Sequence, residues 1–292
     1  MRGCRKIRIA ASVLAVCLAA LLLSVLICRF FIRTVEYTVP LQGVDTPVRI
    51  AVISDLHGQE FGRANVRLVE KIRAQKPDAI FLDGDMIDRS AAPADVQRLL
   101  ELIGTLCEIA PVYFAPGNHE LEYMETDASL LEQAAAAGAA VVNDSYADVT
   151  IAGQTLRVGG TMGHGFYFGR SQEAFEASPE YRFLKGFEQT DAPKICLAHM
   201  PDTFIFNGAY ELWDVDLVIS GHTHGGLVRL PFAGGLYAPM QGWFPEYDRG
   251  LFRLGGHMQM IITSGLAGHG WLPRVNNLPE IAVAELVPQT NS

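Results

Sequence analysis

Cysteine is scarce and unpatterned. Of five, Cys4, Cys17 and Cys28 lie in or beside an apolar N-terminal run, and Cys107 and Cys196 show neither zinc-type nor redox-type spacing. Thiolate chemistry is thereby excluded as the working principle, and Cys107 and Cys196 read as small buried apolar side chains. Basic charge is equally scarce once the N-terminus is set aside. The first 33 residues hold six basic groups (Arg2, Arg5, Lys6, Arg8, Arg29, Arg33) and no acid, so residues 34–292 carry 17 Lys+Arg against 32 Asp+Glu, a balance of -15. A surface that acidic repels polyanions and argues against a nucleic-acid polymer as partner. No internal repeat interrupts the chain, and no low-complexity linker follows residue 47. With 49% hydrophobic residues over 292 positions, it has the length for one membrane segment and a domain of about 250 residues.

What is present begins with a run free of charge from Ile9 to Cys28. About 20 helical residues at about 1.5 Å each match the ~30 Å hydrocarbon layer. A cleavable signal has a core of ~7–15 residues and a small-x-small site. Here Arg29-Phe30-Phe31-Ile32-Arg33 follows instead, so the segment is expected to stay as a single-pass anchor in the cell membrane. Basic residues outnumber on the N-terminal side, which by the positive-inside rule places the C-terminal domain outside the cytoplasm. The expected organisation is a membrane anchor over 1–33, a stalk or first edge strand over 34–47, one folded domain over 48–287 and a tail over 288–292.

Within the domain, apolar runs at 48–54, 79–82 and 112–115 read as buried strands separated by helices, one ending near Pro77 and one opening at Pro93. A helix near 130–137 and short strands near 141–142, 149–151 and 156–158 follow. Further strands are expected at 194–198 and 217–220, with a helix near 203–209 between them, and hairpin-like pieces over 249–254, 258–263 and 281–286. That mixture suggests two sheets packed face to face with helices outside.

The chemistry sits just past these runs. Asp55-Leu56-His57, Gly84-Asp85, Gly117-Asn118-His119-Glu120, Ala198-His199 and Ser220-Gly221-His222-Thr223-His224 each place an oxygen or imidazole ligand after a strand, and five of the eight histidines fall among them. Such donors suit divalent ions, and two ions about 3.5–4 Å apart turn water into a strong nucleophile and neutralise a phosphoryl group. A pair that close needs an anionic bridge. Asp85 is the candidate, because Gly84 permits a tight turn before it. Asp55 and His57 can turn toward one ion, His222 and His224 can reach two, Asn118 offers an amide oxygen and His199 another imidazole.

Asp-x-His, Gly-Asp, Gly-Asn-His-Glu, a later His and Gly-His-x-His, in that order, resemble the calcineurin-like metallophosphoesterase superfamily over about residues 48–287. The anchor, Ala-His-Met-Pro-Asp at 198–202 and Ser-Gly-Leu at 264–266 further resemble its bacterial membrane-anchored YaeI/YkuE-like branch. The resemblance implies an α/β fold, a four-layer α-β-β-α sandwich of two mixed sheets. It also implies two divalent ions (Mn, Zn or Fe), one held by Asp55, His57, Asp85 and His224, the other by Asp85, Asn118, His199 and His222. His119 becomes the catalytic residue that orients the phosphate and serves the departing oxygen. The implied reaction is hydrolysis of a phosphodiester or pyrophosphate by hydroxide attacking in line. Leu227, where the branch often has Gln, and the lack of a basic residue near Ser264 are departures that bear on substrate contacts.

Other residues carry weaker readings. Asp83 and Asp88 read as supporting carboxylates, Glu120 as a turn residue and Asp202 as a helix N-cap. Aromatic loops at 163–170 and 242–247, with Trp271, suggest an apolar wall and hence a lipid-linked or cell-envelope substrate, packing beneath loops being the plainer explanation. Arg89, Arg170 and Arg229 are candidate phosphate contacts. His164, His257 and His269 lack motif context and read as structural or exposed. The alternative function is a metal-binding scaffold of the same fold that binds a partner protein without catalysis; a complete ligand set with His119 argues for the enzyme.

Overall fold

The computed structural model describes residues 2–162, 172–268 and 272–289. The apolar run continues into one helix, α1 (Arg2–Phe30), of which Lys6–Phe30 is long and apolar enough to cross a membrane. The domain covers almost none of it.

The central strands form where apolar, largely β-branched and aromatic residues run together, because both of their faces are buried, whereas the edge strands are partly exposed. The first sheet contains β1 (Arg33–Leu41), β2 (Val48–Ile53), β3 (Ala79–Asp83), β4 (Val112–Ala115), β5 (Ala140–Val141) and the last strand, β16 (Glu280–Pro288), in the order β1-β16-β2-β3-β4-β5. The second contains β6 (Ser145–Ile151), β7 (Gln154–Thr161), β8 (Lys194–Ala198), β9 (Leu217–Ser220), β14 (Gly250–Leu254) and β15 (Met258–Ile262), in the order β14-β15-β9-β8-β7-β6. β2 through β5 are mutually parallel, as are β7, β8, β9 and β15, while β16 against β2, β14 against β15 and β6 against β7 are antiparallel. Both sheets are therefore mixed.

The two-residue period of the strands sorts their side chains into layers. In β2, Ile50 and Val52 face the other sheet across a shared core, whereas Ala51 and Ile53 pack outward under α2 (Val66–Ala74) and α3 (Pro93–Cys107). In the second sheet, Leu217 and Ile219 of β9 point into the shared core and Val218 points out toward α7 (Pro179–Phe187) and α8 (Asp202–Ile205). With α5 (Leu130–Ala136) joining the first outer layer, the architecture is a four-layer α-β-β-α sandwich. The short helix α4 (Asn118–Tyr123) follows β4, and α6 (Gln172–Glu176) precedes α7.

Several details depart from the sequence reading. Of the two readings for residues 34–47, stalk or first edge strand, the structure has the edge strand: β1 pairs along its whole length with β16, burying Val39 and Leu41. The helix expected near 203–209 is the single turn α8 followed by a 3-10 segment, Phe206–Glu211. Two small hairpins, β10 (Arg229–Leu230) with β11 (Gly234–Gly235) and β12 (Tyr237–Ala238) with β13 (Gly242–Trp243), fill a region that carries no strand signal. The loop 163–170, Trp271, His164, Arg170 and His269 lie outside the described residues.

Candidate metal centre

In open parallel sheets, function gathers beyond the carboxyl ends of the strands. Here β2, β3, β4, β8 and β9 deliver Asp55 and His57, Asp85, Asn118 and His119, His199, and His222 and His224 to one such edge. Five of these residues have left-handed backbone: Asp55 (φ 52°), His57 (44°), Asp85 (52°), His222 (62°) and His224 (49°). Left-handed backbone is disfavoured by roughly 1–2 kcal/mol for a residue with a Cβ, so the surrounding contacts hold these turns in place. Gly84 (φ +71°) is one such contact, since a Cβ there would lie 2.6 Å from the Cα of Gly117 and from His199 Nδ1. Gly221 is another: its Cβ would lie 1.8 Å from Ser54 Oγ.

The side chains converge on Asp85. Its Oδ1 accepts the His119 backbone N–H at 2.9 Å. Its Oδ2 stands 3.1 Å from His199 Nε2, 3.8 Å from His57 Nε2 and 3.9 Å from His119 Nε2. Asp55 Oδ1 lies 3.7 Å from His224 Nε2 and accepts the His222 N–H at 3.0 Å. Three groups have ligand atoms mutually within 4.8 Å: Asp55, His57 and His224; Asp85, His199 and His222; and His57, Asp88 and His119. Ligands bound at about 2.0–2.2 Å around one ion stand about 3–3.5 Å apart, the range these separations approach.

The donor set fits such ions. His57 Nε2, His199 Nε2, His222 Nε2 and Asn118 Oδ1 are buried side-chain atoms without a hydrogen-bond partner, which is costly unless something else satisfies them. The ring nitrogens on the far side are engaged: His199 Nδ1 lies 2.7 Å from the Asp83 carbonyl and His224 Nδ1 lies 3.3 Å from that of Ala267. An imidazole donating there presents its Nε2 lone pair to the cluster, as a metal ligand does. Burial lowers His57, and burial with the charge of His199 takes His222 down to about 3. Burial also works to lower His199, but the close carboxylate of Asp85, with Asp55 and Asp83, carries it above its ordinary value. Burial works to raise Asp85, and His199, His57 and His119 carry it below the usual carboxylate range.

The supporting shell holds residues that the sequence reading undervalued. Glu120 is not a simple turn residue: fully buried, it accepts the backbone N–H groups of Asp85 (2.7 Å), Met86 (2.6 Å), Ile87 (3.0 Å) and Gly117 (2.8 Å). Burial and the charge of Asp85 push it up to about 7, and the amide donors oppose that rise. Glu120 thus clamps the loop after β3 to the loop after β4. Glu120→Gln exchanges one acceptor oxygen for a donor, and each buried N–H left without a partner costs roughly 1–3 kcal/mol. Its urea midpoint is expected to fall, and an unchanged midpoint would remove the clamp.

Arg274, also buried and not singled out from the sequence, bonds the carbonyls of His224, Ser264 and Ala267, and Asn277 Nδ2 reaches the His224 carbonyl at 2.7 Å. It occupies, in space, the neighbourhood of Ser264 where the chain lacks a basic residue. Asp202 is not an N-cap: Pro201 holds that position, and both Asp202 carboxyl oxygens are buried without partners, burial raising the group to about 6. Asp83 is likewise buried, unpartnered and raised well above its ordinary value by burial. Asp88 accepts from Ser90 and has its Oδ2 3.6 Å from His119 Nδ1. Arg229 is committed to Asp248 and the Gly225 carbonyl, which removes it as a phosphate contact, and Arg89 pairs with Glu122 at the surface. His257 packs its Nε2 against the Trp213 carbonyl, away from the cluster.

The sequence profile of the calcineurin-like phosphoesterases matches residues 48–226. The chain is 27% identical over 259 residues to an uncharacterised metallophosphoesterase of Campylobacter jejuni, a match covering 87% of this chain and 63% of that protein. It is 29% identical over 248 residues to phosphodiesterase YaeI of Escherichia coli, covering 82% and 83%. It is 26% identical over 271 residues to a protein of Danio rerio named transmembrane protein with metallophosphoesterase domain, covering 85% and 56%. The chain spans 63–64% of the length of the Campylobacter relative and two from Helicobacter pylori.

Proposed function

The chain belongs to the calcineurin-like phosphoesterase family, and on that premise we propose that it hydrolyses a phosphodiester or pyrophosphate with two divalent ions. Asp55, His57, Asp85 and His224 would hold one ion, and Asp85, Asn118, His199 and His222 would hold the other. The observation that supports this reading is the position of Asp85 Oδ2, within 3.8 Å of both His57 and His199, from which one carboxylate can serve both proposed sites. When bound, the ions supply a nucleophile from water at neutral pH and neutralise charge on the phosphoryl oxygens. Imidazole and carboxylate donors without thiolate suit manganese, iron or zinc.

The protein's own groups do the rest. His119 Nδ1 accepts the Arg89 backbone N–H at 3.1 Å, which leaves the proton of a neutral ring on Nε2, the nitrogen nearer Asp85. From there it donates to the phosphoryl group or to the departing oxygen. Membrane attachment through α1 accords with the name of the Danio rerio relative. The basic residues before that helix favour a domain outside the cytoplasm, where a phosphodiester of the cell envelope is the substrate in reach. A domain on the cytoplasmic side would instead meet the pyrophosphate of a nucleotide-linked lipid precursor.

Chelation of the purified protein is expected to abolish hydrolysis of bis(p-nitrophenyl) phosphate, and manganese to restore it. Metal uptake at pH 7 should also release protons, because imidazole binds metal only when neutral and Asp85 favours the protonated form of His199. Calorimetry in two buffers of different ionisation enthalpy reads that release; affinity then weakens as pH falls. A metal-loaded protein inert toward a broad panel of phosphoesters would leave the scaffold reading instead.

A further inference from the structure

We propose that the last two turns of α1, the 272–277 segment and the hairpins over 229–244 form one face seated in the interfacial layer of a lipid bilayer, onto which the cleft of the metal centre opens. The substrate is then an amphiphilic phosphoester resident in that leaflet. This deepens the hydrolase reading and rests on α1 as the anchor.

The helix is not a loose tether. Ser24 Oγ accepts the Asn276 backbone N–H at 2.8 Å, Cys28 Sγ accepts that of Asn277 at 3.4 Å, and Arg67 donates to the Phe30 carbonyl at 3.0 Å. Arg8 and Arg29 bracket the charge-free stretch, and their separation along a helix, about 31 Å, matches the hydrocarbon layer. With Arg29 at the boundary, Ser24 lies about 7.5 Å inside it. The backbone of Asn276, bonded to Ser24, shares that depth. Amphipathic surface segments settle about 5–10 Å into the headgroup and acyl boundary, so the two depths agree.

The surface joined to this segment is built for such a layer. Val275 bridges to Val228, and Asn276 Nδ2 donates to the Arg229 carbonyl at 3.1 Å, tying the hairpins to the helix docking site. Leu272, Leu230, Phe232, Met240, Trp243 and Phe244 are all exposed, Trp243 to 69% and Phe244 to 58%. Phe232, Met240 and Phe244 have left-handed backbone (φ 68°, 60° and 56°), positions where glycine or asparagine is the easier occupant. Large apolar side chains at strained, exposed turns are unfavourable in water and favourable at a membrane interface, where tryptophan and tyrosine concentrate.

A cleft of about 280 Å³ is lined by Val25, Cys28 and Arg29 of α1, by Leu272 of the segment docked on that helix, and by His57 and Asp88. Residues of the anchor and of the metal centre share its walls. Its volume suits a phosphate-bearing head, with the acyl part left beside the helix, and Arg29 among its lining residues supplies a cation for the anion.

The test uses the full-length protein in phosphatidylcholine vesicles with and without bromine on the acyl chains near the headgroup. Bromolipid is expected to quench a share of the tryptophan emission that is missing from Trp243→Phe, and that variant keeps parental turnover of bis(p-nitrophenyl) phosphate. Equal fractional quenching in parent and variant overturns the seated face while leaving the hydrolase reading intact. Quenching at Trp243 in a protein inert toward the ester preserves the face and rejects the hydrolase.

Discussion

Asp85→Asn is expected to leave the fold standing and remove paired metal binding together with turnover. The amide is isosteric; its oxygen can still accept the His119 N–H, and its NH2 can donate to His199 Nε2, 3.1 Å from the present Oδ2. Metal-free stability should therefore change little. What would disappear is the proposed anionic bridge, and with it several kcal/mol of transition-state stabilisation. At about 1.4 kcal/mol for each factor of ten, the rate falls by on the order of 10³ or more. Elemental analysis of the purified variant beside its rate and melting temperature checks all three parts. Parental metal content with parental turnover would refute the bridge.

His119→Ala should separate chemistry from metal binding. The ring lies in the same cluster, its centroid 4.6 Å from that of His57, yet the proposed ion ligands remain without it. Metal content is expected to hold while kcat drops by about 10²–10⁴, the range for loss of a positioned general acid. The effect should depend on the leaving group. A p-nitrophenolate leaves without help, so the defect shrinks with that ester and grows with an alkyl phosphodiester. An equal loss on both esters, or loss of metal, would assign His119 a structural task instead.

The strands were legible because a run buried on both faces must be apolar throughout: 48–53, 79–83 and 194–198 each form the strand the composition indicates. The gathering of Asp55, His57, Asp85, Asn118, His199, His222 and His224 followed from one regularity, an oxygen or imidazole donor placed just beyond each strand. Other features leave no such trace. Glu120 acts through four backbone amides from two loops, and backbone amides carry no residue signature. Arg274 lies far along the chain from His224 and meets it only after the second sheet closes. The Asp202 N-cap failed because local propensity allowed it, whereas Pro201 took the cap and burial isolated the carboxylate. The 229–243 hairpins are two residues per strand, too short for any alternation to show.

The left-handed turns at Asp55, His57, Asp85, His222 and His224 bear on how this protein can change. At each, glycine would relieve the left-handed backbone yet erase a candidate donor, and at Asp55 and Asp85 it would also strip the acceptor from the His222 and His119 N–H groups. Relief of backbone strain thus runs against the proposed metal binding at five points at once. The reserve that tolerates this opposition resides in the stacked apolar layers on either side of each sheet.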